Sequence, residues 1–241
     1  MLIIPAVDIK QGKCVRLLQG RMEDTTHYSD DPVMMAQRWE AQGASLIHVV
    51  DLDGAFAKQV KNLKTIQDIL AGINVPIQVG GGIRDLTTIE MYLDAGVSKV
   101  IIGSEALYHP GFVKEACKLF PDKIVVGIDA RNGRVAVEGW SRTSETLAID
   151  LAKEFESCGV AAINFTDIHK DGMQTGPNIE ETAALACAVS IPIVASGGVS
   201  TLQDIKNLLE IESHGVTGVI TGRALYEGTL DLKEAIRIAK Q

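Results

Sequence analysis

Two aspartates stand at matching places in the two halves of the 241-residue chain, each directly after an apolar run. Asp8 ends the run at 2–7, and Asp129 ends the run at 124–128. An aspartate in such a place can be a turn or helix-capping residue. Because the same placement occurs in both halves, we favour a pair of catalytic carboxylates that face each other across one site.

Glycines follow the third, fourth, seventh and eighth apolar runs, again in matched pairs. The pair at 80–82 and 103–104 in the first half corresponds to the pair at 197–198 and 222–223 in the second. Glycine at a strand-to-helix turn lets backbone N–H groups approach a phosphate, which the helix dipole also favours. Such glycines can form tight turns only, but four matched turns, with Arg223 as a cation, favour two phosphate sites. We therefore expect a ligand with a phosphate at each end.

A polar loop is predicted at 166–178, after the sixth apolar run. Asn178 is expected to cap the helix that follows, which explains the sequence Gly-Pro-Asn at 176–178. The charged run before it is too dense for a cap. Thr166, Asp171 and Gly172 are therefore candidates for contacts with the ligand.

Three other residues are less specific candidates. Trp140 lies on a predicted loop after the fifth strand, where it could pack on a rim or stack on a planar ligand. Arg16 lies in the corresponding first loop and could be a ligand cation or a surface charge. His48 falls inside a predicted strand, where a packed histidine is the default, although an inward orientation would place it under the site.

The elements that must position these residues are short apolar strands alternating with amphipathic helices. Strands are predicted at 2–7, 46–50, 76–79, 99–102, 124–128, 161–166, 191–195 and 217–221, and helices at 31–42, 87–95, 148–158, 202–209 and 231–240. This alternation indicates a parallel sheet made of βα units, and fully apolar strands fit a barrel or a doubly wound sheet. In a barrel the catalytic groups follow the strands at their C-terminal ends.

An internal repeat favours the barrel over the doubly wound sheet. Residues 75–83 (VPIQVGGGI) match 191–199 (IPIVASGGV), and residues 44–51 match 160–167. All four units of the first half recur in order in the second. The sequence therefore predicts an α/β fold, a single (β/α)8 TIM barrel domain over 1–241, built from similar half-barrels at roughly 1–120 and 121–241.

Composition narrows the classes of partner and location. A net charge of −8 argues against a broad nucleic-acid or anionic-membrane surface, and the apolar runs are far shorter than a membrane helix. The start of the chain has no basic region of an export signal. Cys14, Cys117, Cys158 and Cys187 lie far apart without metal-ligand spacing, as in reduced cytosolic proteins. We expect a cytoplasmic monomer without a metal.

Several of these segments together closely resemble one family. They are 4–8 (IPAVD), 12–16 (GKCVR), 48–53 (HVVDLD), 80–84 (GGGIR), Asp129 with Gly139 and Trp140, and 166–178. The family is phosphoribosyl-formimino aminoimidazole carboxamide ribonucleotide isomerase, an enzyme of histidine biosynthesis, and the resemblance covers essentially the whole chain. It implies an aldose-ketose isomerase that performs an Amadori rearrangement without any cofactor.

The resemblance also implies roles for individual residues. Asp8 would be the base and Asp129 the acid, while Asp171 matches another functional carboxylate that could share or take the acid role. Gly81, Gly82, Gly103 and Ser104 would hold one phosphate, and Gly198, Gly222 and Arg223 the other. Arg16 and Trp140 would close over the ligand.

Three other functions remain open from the sequence. The cyclase subunit of imidazole glycerol phosphate synthase resembles this chain in its two phosphate sites and paired aspartates, but typically has Cys-Leu-Asp in the first strand, where this chain has Ala6-Val7-Asp8. A bifunctional isomerase that also acts on phosphoribosyl anthranilate is also compatible with the sequence, because the loops at one end of a barrel can rearrange around either substrate. A non-catalytic sensor of phosphate ligands would leave the two symmetric carboxylates unexplained.

Overall fold

The computed structural model describes residues 1–18 and 21–240. In chain order the elements are β1 (Leu2–Lys10), β2 (Lys13–Leu18), β3 (Arg21–Ser29), α1 (Pro32–Ala41), β4 (Ile47–Asp51), α2 (Leu52–Ala57), α3 (Leu63–Gly72), β5 (Ile77–Gly80), α4 (Leu86–Asp94), β6 (Lys99–Ile102), α5 (Ser104–Tyr108), α6 (Pro110–Leu119), β7 (Ile124–Arg131), β8 (Arg134–Val137), β9 (Arg142–Leu147), α7 (Ala148–Glu154), β10 (Ala162–Asp167), α8 (Ile179–Ala188), β11 (Ile193–Ser196), α9 (Leu202–Leu209), a 3-10 turn (Glu212–His214), β12 (Val216–Thr221), α10 (Arg223–Glu227) and α11 (Leu232–Ala239). Among the described residues, no helix combines the length and the apolar character needed to cross a membrane.

Eight of the strands pair in parallel and close into a ring. The order around the ring is β1, β4, β5, β6, β7, β10, β11 and β12, and β12 pairs again with β1. Helices connect consecutive strands of the ring, as in a (β/α)8 barrel. The predicted fold is therefore confirmed, and the predicted strands agree with the eight ring strands to within about three residues.

The apolar core has two layers. The layer in which a buried strand residue packs shows whether its side chain points out of the ring or into it. One layer lies between the ring and the helices and includes Ile163 and Phe165 of β10. The other fills the inside of the barrel and consists of Ile4, Ala6, Ile101, Val125, Ala162, Val194 and Ile220, with Leu46 packed against it. Because side chains alternate along a strand, the next inward positions toward the C-terminal ends line the mouth of the barrel.

Two antiparallel hairpins extend the barrel at equivalent places, and the sequence interpretation had assigned both regions to loops. β1 continues to Lys10 and pairs with β2, while β7 continues to Arg131 and pairs with β8. The connecting turns are at 11–12 and 132–133, where both residues of each turn have positive φ, as a type I′ hairpin turn requires. Asn132-Gly133 is a strong sequence signal for such a turn, so the hairpin of the second half was predictable.

Candidate active site

A cavity of about 250 Å³ opens at the C-terminal end of the barrel. Its lining includes these predicted residues: Asp8, Arg16, His48, Gly81, Gly82, Gly103, Ser104, Asp129, Trp140, Thr166 and Asp171. A smaller adjoining cavity of about 20 Å³ is lined by Gly172, Gly198, Gly222 and Arg223, and shares Arg16 and Asp171 with the first. The fold thus brings all the predicted site residues to one mouth, although they are scattered along the sequence.

Asp8 is paired with a buried cation. The Arg16 guanidinium of β2 forms an ion pair with the Asp8 carboxylate, and only 15% of the Arg16 side chain is exposed. Burial lowers the pKa of Arg16, but the negative charges of Asp8 and Asp171 outweigh it and raise the pKa overall. Arg16 therefore keeps a permanent positive charge in the mouth, and the alternative of a surface charge is wrong. Its predicted place on a loop is also wrong, since β2 is part of the hairpin that extends β1.

Asp129 is held by two donors above the interior of the barrel. Trp140 Nε1 donates to Asp129 Oδ2 at 2.7 Å, and the Thr166 hydroxyl also bonds to this carboxyl group. Burial raises the pKa of Asp129, while the two hydrogen bonds oppose the rise. Antiparallel pairing with β8 extends β7 through Asp129 to Arg131, beyond the predicted end of this strand at 128.

Asp171 lies in the turn after β10, where it meets the charges of both other carboxylates. Burial raises its pKa to about 6; Asp8 and Asp129 add to this rise, and Arg16 opposes it. A carboxyl group with such a pKa is partly protonated near neutral pH. Asp129 and Asp171 thus have pKa values shifted in the direction that a general acid requires.

The glycine turns form two similar backbone pockets at opposite sides of the mouth. We call them the first cradle, at Gly81, Gly82, Gly103 and Ser104, and the second cradle, at Gly198, Gly222 and Arg223. Gly82 and Gly198 have φ of 75° and 83°, a region that favours glycine. A Cβ at Gly82 would collide with the carbonyl oxygen of Gly54, and one at Gly198 with that of Gly176. Each turn therefore needs glycine for its close backbone approach, as the repeat in the sequence predicted.

The cradles differ in what occupies them. A Cβ built on Gly103 would meet no heavy atom within 4 Å in the described part of the chain, whereas one on Gly222 would collide with the Arg16 guanidinium. Arg223 donates to Glu227 Oε1 at 2.6 Å and to the Gly172 carbonyl oxygen at 2.7 Å. The first cradle is open to a ligand, and the second is partly filled by Arg16.

The comparisons with known proteins agree with this geometry. A family model described as "Histidine biosynthesis protein" matches residues 2–231. The chain belongs to this family. It is 65% identical over 241 residues to a protein of Desulfatibacillum aliphaticivorans, and the aligned region covers 100% of this chain and 96% of the relative. It is 63% identical over 239 residues to a protein of Desulfosudis oleivorans, and the aligned region covers 99% of this chain and 95% of the relative.

A third relative, from Geobacter sulfurreducens, is 56% identical over 241 residues, covering 100% of this chain and 99% of the relative. All three relatives are named 1-(5-phosphoribosyl)-5-((5-phosphoribosylamino)methylideneamino) imidazole-4-carboxamide isomerase. This name denotes the same isomerase as the family that the sequence motifs resemble. The name describes a molecule with two phosphoribosyl groups.

In this histidine biosynthesis protein His48 faces the interior of the barrel and has a fixed partner. The Gln78 side-chain amide donates to His48 Nδ1 at 3.1 Å, which leaves Nε2 as the N–H of a neutral ring. Burial, with a smaller effect of the Arg16 charge, lowers the pKa of His48 to about 3. His48 therefore lies under the site as a neutral hydrogen-bond donor.

Two buried aspartates support the loops of this family member from below. Asp51 is fully buried and accepts from the backbone N–H groups of Gly54, Lys61 and Asn62 at 2.8, 2.8 and 2.9 Å. Its equivalent in the repeat, Asp167, accepts from the Asn178 side chain at 2.7 Å. Asn178 also caps α8 as predicted, accepting from the Glu181 N–H at 3.1 Å.

The sequence reasoning missed polar residues that line the same cavity, among them Asn164 and Ser196. A signal for Asn164 was present, because the repeat of 44–51 at 160–167 aligns Asn164 with His48. Ser196 belongs to the repeated segment at 191–199, but the repeat gave no signal for a role of this serine because its counterpart in the first half is Gly80.

Proposed function

We propose that this protein is an aldose-ketose isomerase of histidine biosynthesis that acts on the molecule named by its relatives. The observation that carries the proposal is the mouth itself, in which three carboxyl groups of unlike environment lie between two glycine cradles. A ligand with a phosphate at each end would span the cradles and bring its central atoms over the carboxyl groups. The names of two relatives, 65% and 63% identical to this chain, agree with such a ligand.

The proposed reaction is an Amadori rearrangement in two proton-transfer stages. A general acid gives a proton to the ribose ring oxygen while the nitrogen lone pair forms a C=N bond to C1 and the ring C1–O bond breaks. A general base then removes the proton from C2, which yields an enolamine. Return of one proton to C1 and loss of the proton from the C2 hydroxyl complete the aminoketose. The hydrogen moves within one molecule, so the balance needs no external oxidant or reductant.

We assign the base to Asp8, which is the carboxylate beside the permanent charge of Arg16. The acid is assigned to Asp129, whose pKa is raised by burial and whose carboxyl group is oriented by Trp140 and Thr166. Asp171 is the competing acid, since burial also raises its pKa, to about 6. In the final stage each group recovers its starting protonation state, which makes the pair ready for another turnover.

The binding roles follow the two cradles. Gly81, Gly82, Gly103 and Ser104 would hold one phosphate through backbone N–H groups and a hydroxyl, and Gly198, Gly222 and Arg223 the other. Arg16 would have to leave the Gly222 cradle when the second phosphate enters. Trp140 would close over the ligand, while Thr166, Gly172 and His48 would contact its central part.

We further propose that the chain works as a single domain, as a monomer in the cytoplasm, and without nucleic-acid partners. One barrel supplies all the residues of the proposed site, which supports a monomer. The net charge of −8 supports the absence of nucleic-acid partners, because a polyanion would be repelled.

The test is to mix the purified protein with the bis-phosphorylated aminoaldose and follow the absorbance change of the rearrangement, with no metal, nucleotide or glutamine added. Conversion to the ribulosyl product is expected, and Asp8→Asn should abolish it, whereas the exposed Asp94→Asn should retain it. Binding without conversion would overturn the proposal. Consumption of the ribulosyl compound together with ammonia would then indicate the cyclase, and no reaction at all would indicate a sensor.

A further inference from the structure

Asn164 is a buried polar residue that the mechanism above does not use. It lies on β10, is 4% exposed and lines the main cavity. Neither its Oδ1 nor its Nδ2 has a hydrogen-bond partner among residues 1–18 and 21–240. A buried amide without partners destabilises a fold, so its presence here calls for a function.

The side chain of Asn164 is directed into the barrel. Its neighbours along β10, Ile163 and Phe165, pack in the layer between the ring and the helices, whereas Ala162 packs in the interior. Strand alternation therefore turns Asn164 inward with Ala162 and Thr166. In the parallel register Thr166 lies beside Asp129, and Asn164 lies beside Gly127, one inward position deeper.

The internal repeat explains why this amide is unpaired. His48 is the equivalent of Asn164 in the first half, and its neighbour in register on the next strand is Gln78, which bonds to it. The neighbour of Asn164 in register is Val194, at the position equivalent to Gln78. Because valine has no polar group, the second half leaves both polar atoms of Asn164 without a partner among the described residues, at the buried floor of the cavity.

The place and chemistry of Asn164 indicate what it would bind. It offers one acceptor and two donors, so an anionic phosphate is a poor partner for its carbonyl oxygen. Adjacent hydroxyl groups match it, since one can donate to Oδ1 while the oxygen of the other accepts from Nδ2. Under the proposed function, C2 and the adjacent C3 of the rearranged sugar would lie over this part of the floor.

We propose that Asn164 binds the two adjacent hydroxyl groups, on C2 and C3, of the ribose that is rearranged. This inference rests on the proposed function and deepens it, because it makes Asn164 a substrate-binding residue that selects a ribosyl over a deoxyribosyl substrate. The C3 hydroxyl would donate to Oδ1 and the C2 oxygen would accept from Nδ2, which leaves the C2 hydroxyl proton for Asp129 on the same side of the cavity.

The test compares two substrates with wild type, Asn164→Leu and Asn164→Ala. The substrates are the parent aminoaldose and its analogue that lacks the C3 hydroxyl of the reacting ribose. Asn164→Leu should lower kcat/KM for the parent by about 10- to 100-fold, as loss of such hydrogen bonds would. The same substitution should change kcat/KM for the deoxy analogue by much less, because one of the two hydrogen bonds is already missing there.

Equal losses on both substrates, or no loss on the parent, would overturn the inference. Asn164→Leu should melt no lower than wild type, since an unpaired amide is replaced by an apolar group of similar size; if it fails to fold, Asn164→Ala provides the same substrate comparison. Ile163→Val, which removes volume on the outer face of the same strand, should leave the substrate ratio unchanged. Turnover of the parent by wild type tests the proposed function separately, because the ratio between the substrates reports on Asn164 alone.

Discussion

The indole N–H of Trp140 donates to Oδ2 of Asp129 across 2.7 Å and so ties the tip of the β8–β9 hairpin to barrel strand β7. Three successive residues at this tip have positive φ: 57° at Glu138, 64° at Gly139 and 69° at Trp140. The hairpin tip is thus bent back toward the mouth. The bond stabilises the charged form of Asp129 and opposes the effect of burial on its pKa.

We predict that Trp140→Phe raises the pKa of Asp129 further, because a donor to the charged carboxylate is lost while burial remains. An acid must be protonated to act, so the high-pH limb of kcat should move to higher pH. kcat/KM should fall by about 10-fold through loss of the contact. A pH-rate profile checks this, and an unmoved limb would assign the limb to another group.

The two candidate acids can be separated by Asp129→Asn and Asp171→Asn. The true acid should lose about 100- to 10,000-fold in kcat, because an amide cannot supply the proton. The other variant should lose much less and mainly in KM. Single-turnover measurements near neutral pH check this, and comparable losses in both variants would contradict a single acid.

Stability should depend on the charge of Asp171. Its folded pKa is raised from 3.8 to about 6, so the protonated form is preferred in the folded state and the stability it contributes is lost as pH rises through about 6. Asp171→Asn should therefore be more stable than wild type at about pH 8 and nearly equal to it near pH 4. Chemical denaturation at the two pH values checks this, with Asp94→Asn as a control for an exposed charge.

The buried Asp51 should be the stronger of the two loop supports. Asp51→Ala leaves the N–H groups of Gly54, Lys61 and Asn62 without their acceptor, and should lower the free energy of unfolding by about 3–5 kcal/mol. Asp167→Ala removes fewer bonds and should lower it by about 1.5–3 kcal/mol. Urea denaturation measures both, and the reverse order would show that hydrogen-bond number does not set the difference.

The two cradles should respond differently to the same substitution. Gly222→Ala places a methyl group in the space that Arg16 fills and that the second phosphate would enter, and should lower kcat/KM by about 100-fold. A methyl group at Gly103 meets no heavy atom of the described residues within 4 Å, so Gly103→Ala should lower kcat/KM by about 10-fold or less. Steady-state kinetics of this matched pair check the assignment, and equal losses would exclude a special role of Arg16 in the second cradle.

Local sequence patterns were sufficient for the fold and for most of the site. Apolar runs identified the ring strands because a barrel strand is buried on both faces, and the repeat identified the closure. Asp8, Asp129 and the glycine turns were found because groups that follow barrel strands must gather at one end. The antiparallel strands at 13–18, 21–29, 134–137 and 142–147 were missed. The strands at 21–29 and 142–147 carry mostly polar residues, and the buried apolar residues at 14–15 and 135–137 form runs shorter than those of the ring strands.

The sequence by itself determined that this chain is a two-fold repeated barrel with paired carboxylates and paired glycine turns. Only the tertiary structure decided that Arg16 contacts Asp8 and that Trp140 contacts Asp129. It also decided that Asn164 has no hydrogen-bond partner within the described part of the chain. The physical reason is that strand period and turn chemistry are encoded by neighbouring residues. Ion pairs, desolvation and an unpaired amide depend instead on residues far apart in the chain, which meet only when the ring closes.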